Sequence, residues 1–468
     1  MKYLPAIGLE IHAELKTKTK MFCSSLSDPE EKEPNKNICP ICTGHPGVLP
    51  TINKEAVRKV LLCGKALGGK LADYSQFDRK NYFYPDLPKG YQISQYKHPL
   101  VKGGELNGVK LTRIHLEEET GKLIHSEDGK FSLVDFNRAG IPLMELVTEP
   151  DIKSGKEARK FAEEFQLILR YLDVSDADME KGQMRIEVNI SLSDGAKLGT
   201  KVEIKNLNSF RSVDRAINYE IERQAKILDK GEKIVHETRG WDEAGQKTFS
   251  QREKEMAHDY RYFPEPDLPP LIISELDFDL TLPELPEQKR KKFKERYELK
   301  DEQIEIFIRD ISLGKFFESV AKNLKNEKAL VSLAYNYLVS DLAGLMKEGN
   351  TSFGDLKINP EMFAKLIKMA ASGEISSRGA KNILKIMFEK GNDPEEIVKE
   401  KGLKQTSDES FIKNIVEEVI KKNPAVAEDY KNGKKTALQF LIGQGMKLSG
   451  GKANPGALQN FLKEKLVE

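Results

Sequence analysis

Residues 8–15 (GLEIHAEL) combine the side-chain types of a metal site with the period of a β-strand. As a strand, the segment places Glu10, His12 and Glu14 on one face and apolar side chains at the alternate positions. Carboxylate and imidazole groups are ligands of divalent cations, and a cation in a cleft supports phosphate or carbonyl chemistry. From the octapeptide alone an ordinary solvated strand face is the favoured interpretation, because short motifs often match by chance.

Two later segments have polar faces of the same kind. Residues 112–121 form a short strand pattern that ends in three consecutive carboxylates, Glu117 to Glu119. Adjacent acids repel one another unless a positive group lies nearby. Residues 184–190 alternate cleanly, which places Arg185, Glu187 and Asn189 on one face. We therefore expect three acid-rich strand faces to converge on one cation-dependent phosphate site.

Seven longer motifs carry a resemblance to a known family. They are residues 7–12, 77–86, 91–95, 115–121, 149–151, 205–210 and 259–267. Several of them are long and rich in aromatic residues. On these motifs, which occur in the family's order, the chain resembles the B subunits of the aspartyl/glutamyl-tRNA amidotransferases over essentially its whole length.

The resemblance implies a specific activity. Enzymes of this family convert misacylated Glu-tRNA(Gln), and in many organisms Asp-tRNA(Asn), into Gln-tRNA(Gln) and Asn-tRNA(Asn). The B protein binds the misacylated tRNA and uses ATP with Mg²⁺ to phosphorylate the side-chain carboxylate, and ammonia then displaces the phosphate. The resemblance thus implies a glutamine-dependent carbon–nitrogen ligase that works as a heterotrimer with an amidase (glutaminase) partner and a small third partner. Such chemistry needs positioning and charge neutralisation more than covalent help.

The resemblance also implies site residues. Glu10 and His12 match the family's Mg²⁺ ligands, and Glu118 matches its acidic partner in the second strand. Strict alternation would instead favour Glu117, so the choice of Glu118 requires a bulge or strand end near that point. Glu187 occupies a position where the family often has Asp, and its longer side chain can still reach a metal. We predict Glu10, His12, Glu118 and Glu187 as catalytic residues.

ATP binding is predicted at two further segments. Residues 78–86 combine cations with aromatic rings, and we assign Arg79, Lys80, Asn81 and Tyr82 to the nucleotide. Cations suit phosphates, and aromatic rings can stack on a base. Lys205 precedes a predicted helix and is assigned to the same pocket. Aromatic core packing is the alternative for the first segment, and alternate residues can serve both purposes.

Three cysteines form an incomplete zinc motif. Cys39 and Cys42 make a CxxC pair, and Cys23 precedes them in a polar loop segment. Zinc-bearing members of the family have a fourth cysteine two residues after the first, where this chain has Ser25. A four-thiolate site is therefore excluded, although His45 is an alternative fourth ligand. A Zn²⁺ site and a set of free thiols both remain open.

Length and periodicity predict several domains. The chain has 468 residues, of which 39% are hydrophobic and 32% are charged, which suits a multidomain globular enzyme. We predict the α+β class, with a cradle-like catalytic domain of mixed sheet and helix at residues 1–290. An all-helical domain at residues 291–392 and a small helical tail domain at residues 393–468 are expected to follow.

The net charge of +1 gives no global field that would attract nucleic acid, so tRNA contacts must come from local patches. Lys434, Lys435, Lys447 and Lys452 lie in glycine-containing segments of the tail, and we predict that they bind tRNA. The resemblance implies that this tail contacts the tRNA body. A helical bundle with basic loops is the alternative.

Other observations narrow the class of protein. No apolar run approaches the roughly 20 residues that span a membrane, the first strand leaves no room for a signal peptide, and four cysteines suggest no disulfide framework. We expect a cytoplasmic protein. A tRNA-binding scaffold without chemistry is the second hypothesis, but its acidic cluster would repel RNA. Because the chain has no Ser-Ser-Lys amidase signature, glutamine hydrolysis must come from another chain.

Overall fold

The computed structural model describes residues 2–195, 197–253, 257–405 and 408–467. It divides the chain into two compact units, Met1–Pro286 and Glu287–Glu468. The first unit contains sheets and helices and the second is helical, which confirms the predicted α+β class. The three-domain division predicted from the sequence stays a prediction.

The first unit contains all of the described strands. They are β1 Leu4–Glu14, β2 Lys70–Leu71, β3 Tyr74–Ser75, β4 Asp78–Asn81, β5 Tyr91–Ser94, β6 Val101–Lys102, β7 Glu105–Leu106, β8 Val109–Glu118, β9 Lys122–His125, β10 Ser132–Asp135, β11 Pro142–Thr148, β12 Met184–Ser193, β13 Val202–Leu207, β14 Glu237–Asp242, β15 Lys247–Glu253, β16 Phe263–Pro264 and β17 Leu271–Ile272. Its α-helices are α1 Lys54–Ala66, α2 Gly155–Tyr171 and α3 Phe210–Asp229, and Ala257–Tyr260 and Ile273–Glu275 are short 3-10 helices.

The remaining helices belong to the second unit, the first of them beginning at its boundary. They are α4 Pro286–Tyr297, α5 Asp301–Arg309, α6 Ile311–Asn323, α7 Lys328–Asn336, α8 Ala343–Glu348, α9 Pro360–Ala371, α10 Ser377–Lys390, α11 Pro394–Lys401, α12 Glu409–Lys422, α13 Pro424–Lys431, α14 Thr436–Leu448 and α15 Pro455–Val467. A π-helical segment, Tyr337–Leu342, joins α7 to α8.

One large sheet organises the first unit. Its strand order is β15-β14-β13-β12-β1-β11-β8-β6-β2, and β7 pairs with β8. Strand β1 lies at the centre, between β11 and β12, and both pairings are antiparallel. Only β13 and β14 pair in parallel among the described strands of this sheet. Three small sheets accompany it, β9–β10, β16–β4–β5 and β3–β17.

Alternation along the central strands separates an apolar face from a polar one. In β1, Ile7, Leu9 and Ile11 are at most 1% exposed, and they belong to one core with side chains of α1, α2 and α3. Helix α2 contributes Phe161 and Phe165 to this core. Burial of these side chains fixes the register of the sheet, because a shift of one residue would exchange the two faces. The polar face is thereby directed away from the helices.

The second unit contains one long apolar helical stretch among the residues that the structure describes. Lys328–Glu348, which spans α7, the π segment and α8, is long and apolar enough to cross a membrane by length and composition. Such a stretch is also what a helical core requires, and its Val331, Leu338 and Leu342 are buried. The stretch is not an uninterrupted apolar run, because Asn336, Ser340 and Asp341 lie within it, so it does not contradict the expectation from the sequence.

The end of the chain has a core of its own. Helices α12 to α15 pack around buried side chains that include Ile412, Leu441 and Leu458. Helix α11 instead packs on α9 and α10, with Ile397 and Val398 buried. The last core therefore begins at α12.

Candidate functional site

The polar face of the large sheet carries two rows of directly paired residues. Across β8, β11, β1 and β12 the first row is His115, Glu145, His12 and Arg185. In the neighbouring row Glu10 pairs with Glu187 across β1 and β12. Antiparallel pairing places such side chains about 5 Å apart at the Cβ atoms. The sheet register therefore brings together ligands that are far apart in the sequence.

Glu145 lies at the centre of this cluster. Its Oε2 atom is 3.3 Å from the Nε2 atom of His12 and 3.3 Å from the Nε2 atom of His115. The Oε1 atom of Glu117 is 3.7 Å from the His12 nitrogen, and Oε1 of Glu10 is 3.9 Å from it. His12 thus faces three carboxylates.

The donor set fits a divalent cation. Glu10, His12 and Glu145 each offer a ligand atom, and these atoms lie within 4.8 Å of one another. The carboxylate oxygens of this set suit Mg²⁺ or Mn²⁺, whereas an imidazole nitrogen is a more usual ligand of later transition metals. Glu117 and Glu145 are 2% and 4% exposed, so their charges require compensation in a poorly hydrated position. A cation would supply that compensation.

Without a cation, bound protons compensate the charges of these buried carboxylates. Burial, with Glu145 and Glu187 nearby, raises the pKa of Glu10 to about 7. Burial alone would lower the pKa of His12, but its carboxylate neighbours, Glu145 first, raise it to about 9. The two imidazoles in turn hold the pKa of Glu145 well below its usual range, although burial opposes this. A metal ion that binds the Nε2 atom of His12 would therefore have to displace a proton at neutral pH.

A cavity of about 810 Å³ lies over this polar face. Its lining includes five lysine and arginine side chains, Lys80, Arg113, Arg185, Lys201 and Lys205. Lys205 contacts Glu187 at 3.0 Å, and Arg185 pairs with Glu119. A positive rim above a carboxylate and imidazole floor suits a phosphate group bridged to a cation.

Aromatic rings form another part of the cavity wall. Tyr96 and Tyr262 stack with ring centroids 4.4 Å apart and an interplanar angle of 8°. Tyr82 and Tyr260 meet edge to face at 6.0 Å, and the Nζ atom of Lys80 lies 5.0 Å from the centroid of the Tyr260 ring. These rings offer flat apolar surface beside the basic rim.

Lys80, Tyr82 and Lys205, three of the five residues assigned to ATP from the sequence, line the cavity. Arg79 does not, because its guanidinium makes two hydrogen bonds to Glu265, at 2.7 and 2.8 Å. Asn81 donates to the backbone carbonyls of residues 260 and 261. Alternation along β4 explains why Lys80 lines the cavity and its neighbours do not, since Arg79 and Asn81 lie on the opposite face of the strand.

The structure corrects the placement of Glu118. This carboxylate accepts a hydrogen bond from the Ile93 amide at 2.9 Å, pairs with Lys89, and lines a separate cavity of about 200 Å³. Strand β8 alternates regularly here, and its register shift against β11 lies at the other end of the pair. Glu117 therefore faces His12, as strict alternation indicated, and Glu118 does not.

Glu145 is the cluster member that the sequence reasoning missed. It stands in the strand PLMELVT, where every neighbour within three residues is apolar, proline or threonine. A lone carboxylate in a central apolar strand must have a buried partner, and this was the available signal. His115 carried a similar signal, because it alternates with Glu117.

The cysteines converge as the spacing suggested. Cys23, Cys39 and Cys42 offer sulfur atoms within 4.8 Å of one another. The Oγ atom of Ser25 is 4.0 Å from Sγ of Cys42, and Nζ of Lys20 is 3.6 Å from it. A hydrogen bond from Cys23, with the Lys20 charge nearby, lowers the pKa of Cys42 to about 4. Zinc binding stays a prediction.

The four lysines assigned to tRNA are all exposed. Lys434 and Lys435 lie just before or at the start of α14, Lys447 lies in its last turn, and Lys452 lies in the following loop. Lys434 makes an ion pair with Asp429 at 2.8 Å. Such an exposed pair can exchange its partner for a phosphate at little cost.

Comparison with known proteins covers both units. A family described as the GatB/GatE catalytic domain matches residues 5–279, and one described as the GatB domain matches residues 315–466. The chain is 46% identical over 485 residues to the B subunit of the aspartyl/glutamyl-tRNA(Asn/Gln) amidotransferase of Thermotoga petrophila, with all of both chains covered. Proteins of the same name from Thermosipho melanesiensis and Carboxydothermus hydrogenoformans are 47% and 45% identical, covering all of this chain and 100% and 99% of theirs.

Proposed function

We propose that this chain, which belongs to the B-subunit family of the aspartyl/glutamyl-tRNA(Asn/Gln) amidotransferases, activates and amidates misacylated tRNA. The substrate is Glu-tRNA(Gln), Asp-tRNA(Asn) or both. The reaction is glutamine-dependent carbon–nitrogen ligation, and this chain carries its ATP-dependent half. Its place of action is the cytoplasm, where translation uses the product.

One observation carries the assignment of the chemistry to this chain. The His12, Glu117 and Glu145 side chains meet on the floor of a cavity whose rim is basic. A pure RNA-binding surface would gain nothing from buried carboxylates, because they repel phosphates. A site that holds a cation between carboxylates and a triphosphate requires them.

The reaction proceeds in two displacements. An oxygen of the substrate side-chain carboxylate attacks the γ-phosphorus of ATP, the bond to the β-phosphate oxygen breaks, and ADP leaves. Ammonia then attacks the acyl carbon, the bond to the phosphate oxygen breaks, and inorganic phosphate leaves as the ammonia nitrogen loses a proton. Both steps depend on alignment and charge neutralisation rather than on a covalent enzyme intermediate.

The residues of the cavity divide these tasks. Lys80, Lys205 and Arg185 lie where they can donate hydrogen bonds to phosphate oxygens. When the nucleotide binds, each can exchange its carboxylate partner or solvent for a phosphate group. The tyrosine wall offers stacking surface for a base. Glu10, His12, Glu117 and Glu145 would hold Mg²⁺, which when bound neutralises charge on the transferred phosphoryl group.

Ammonia must come from another chain. The sequence has no amidase signature, so we assign glutamine hydrolysis to an amidase (glutaminase) partner, which a small third partner joins in a heterotrimer. The exposed lysines at and after α14 are proposed to contact the tRNA body through its phosphates. Zn²⁺ at the three cysteines is a separate, structural proposal.

The test supplies ammonium chloride in place of glutamine, so that the amidase step is bypassed. The assembled heterotrimer is given ATP, Mg²⁺ and Glu-tRNA(Gln), and formation of Gln-tRNA(Gln) is followed. Glu145→Gln should abolish amidation, whereas Glu105→Gln, an exposed carboxylate on β7, should leave it unchanged. Full activity of Glu145→Gln would place the chemistry elsewhere and leave this chain as a tRNA scaffold.

A further inference from the structure

The tyrosines of the cavity wall come from two segments outside the large sheet. Tyr96 follows β5, Tyr260 ends a 3-10 helix, and Tyr262 directly precedes β16. Between the last two, Arg261 has a φ of +44°, a left-handed conformation that costs free energy in a non-glycine residue. Strand β16 pairs with β4 through only two residues. Side-chain bonds from outside the segment must therefore help to hold these rings in place.

The side chains of β4 supply such bonds to both segments. Asp78, which is 3% exposed, accepts a hydrogen bond from the backbone amide of Tyr96 at 2.9 Å. Asn81 donates to the backbone carbonyls of Tyr260 and Arg261, at 3.1 and 2.9 Å. The two sides of the tyrosine stack are therefore attached to the same strand.

Arg79 holds the other end of the second segment. Its guanidinium makes two hydrogen bonds to Glu265, at 2.7 and 2.8 Å, and one to Asp267 at 3.2 Å. It also lies over the Tyr91 ring, 4.1 Å from the ring centroid. Glu265 is 2% exposed, and two parallel bonds between a guanidinium and a carboxylate fix the geometry of both groups. Tyr262 lies only three residues before this buried ion pair.

We infer that Arg79 is a positioning residue for the nucleotide base: it holds Tyr262 at the cavity wall through Glu265 and does not itself contact the nucleotide. The inference rests on the proposed function, since it concerns the same ATP site. Tyr262 lines the cavity, whereas Arg79 and Glu265 do not. A guanidinium that turned to bind phosphate would leave Glu265 buried without its partner, which is costly.

Two ligands separate a base-positioning role from a phosphate contact, because inorganic tripolyphosphate has the phosphates of ATP but no base. The full-length chain, assembled with its two partner proteins, is titrated with each ligand in the presence of Mg²⁺. We expect Arg79→Met to bind ATP about 5- to 100-fold more weakly, as for loss of a base stack, and tripolyphosphate within about twofold of wild type. Arg159→Met is the matched control, because Arg159 pairs with Glu163 on α2 and does not line the cavity. It should bind both ligands as wild type does.

Glu265→Leu breaks the same ion pair from its other side. Arg79 is then left with Asp267 as its partner, and a phosphate-binding arginine would lose nothing. We expect Glu265→Leu to weaken ATP binding and to spare tripolyphosphate, as Arg79→Met does. Thermal unfolding of each variant checks that the fold is intact.

Equal weakening of ATP and tripolyphosphate in Arg79→Met would show a direct phosphate contact and overturn the inference. Wild-type ATP affinity in folded Arg79→Met or in folded Glu265→Leu would also overturn it. Absence of ATP binding by the assembled wild-type protein would instead overturn the proposed function, and the inference with it.

Discussion

Binding of Mg²⁺ should depend steeply on pH, because His12 must lose a proton before its Nε2 atom can bind the ion. Three carboxylates face this nitrogen at 3.3 to 3.9 Å. Together they raise the pKa of His12 to about 9. Between pH 7 and pH 9 the cation therefore competes with a proton for the same atom.

The magnitude follows from this pKa. One displaced proton makes the apparent affinity rise roughly tenfold per pH unit below pH 9. The same proton stabilises the metal-free fold, since the pKa rises from 6.5 on folding. That contribution is complete below pH 6.5 and is lost as the pH rises through 9. At 1.36 kcal/mol per pKa unit it is worth about 3 kcal/mol.

Calorimetric titration with Mg²⁺ at pH 7, 8 and 9, in buffers of different ionisation enthalpy, measures both affinity and proton release. We expect His12 to release close to one proton per bound ion at pH 8. Below pH 7, Glu10 should add to this proton release, because its pKa is about 7. His12→Gln should bind more weakly with a flatter pH dependence, and Glu105→Gln should behave as wild type. An affinity that is flat between pH 7 and pH 9 would refute the reasoning.

Three further predictions concern separate parts of the chain. Glu10→Gln should abolish ATP-dependent activation while tRNA affinity in a filter-binding assay stays nearly unchanged, and equal loss of both would contradict the separation of roles. Removal of residues 408–468 leaves α11 packed on α10. The truncation should weaken tRNA binding and, if four lysines contact phosphates, reduce the slope of log K against log salt concentration by about 3 to 4. It should spare Mn²⁺ binding. Ser25→Cys should complete a four-thiolate set and increase the zinc retained against a chelator, measured by elemental analysis, and unchanged retention would show that the thiols do not form a zinc site.

The fold class and the polar strand faces could be predicted because alternation has a period of two. Residues 8–15 and 184–190 indicated which side chains share a face, and the sheet pairs Glu10 with Glu187 across β1 and β12. Pairing between distant strands could not be predicted from spacing. Strand β11, which inserts between β1 and β8 and supplies Glu145, was therefore missed.

The error at Glu118 has a different origin. Alternation predicts Glu117 on the His12 face, whereas the resemblance to the family implies Glu118, and the strand keeps its period of two at this point. The period of two also decides which residues of β4 line the cavity, because Lys80 faces the cavity while Arg79 faces Glu265. A motif identifies which residues are present, whereas strand geometry decides which of them share a site.

The central claim is that the phosphorylation site lies on this chain. The most direct test follows transfer of the γ-phosphate of ATP in the assembled heterotrimer, with Mg²⁺ and Glu-tRNA(Gln), for wild type, His12→Ala and His125→Ala. His125 is exposed on β9, outside the cavity lining. We predict transfer that requires the tRNA, is lost in His12→Ala and is unchanged in His125→Ala. Transfer that persists in His12→Ala would contradict the account.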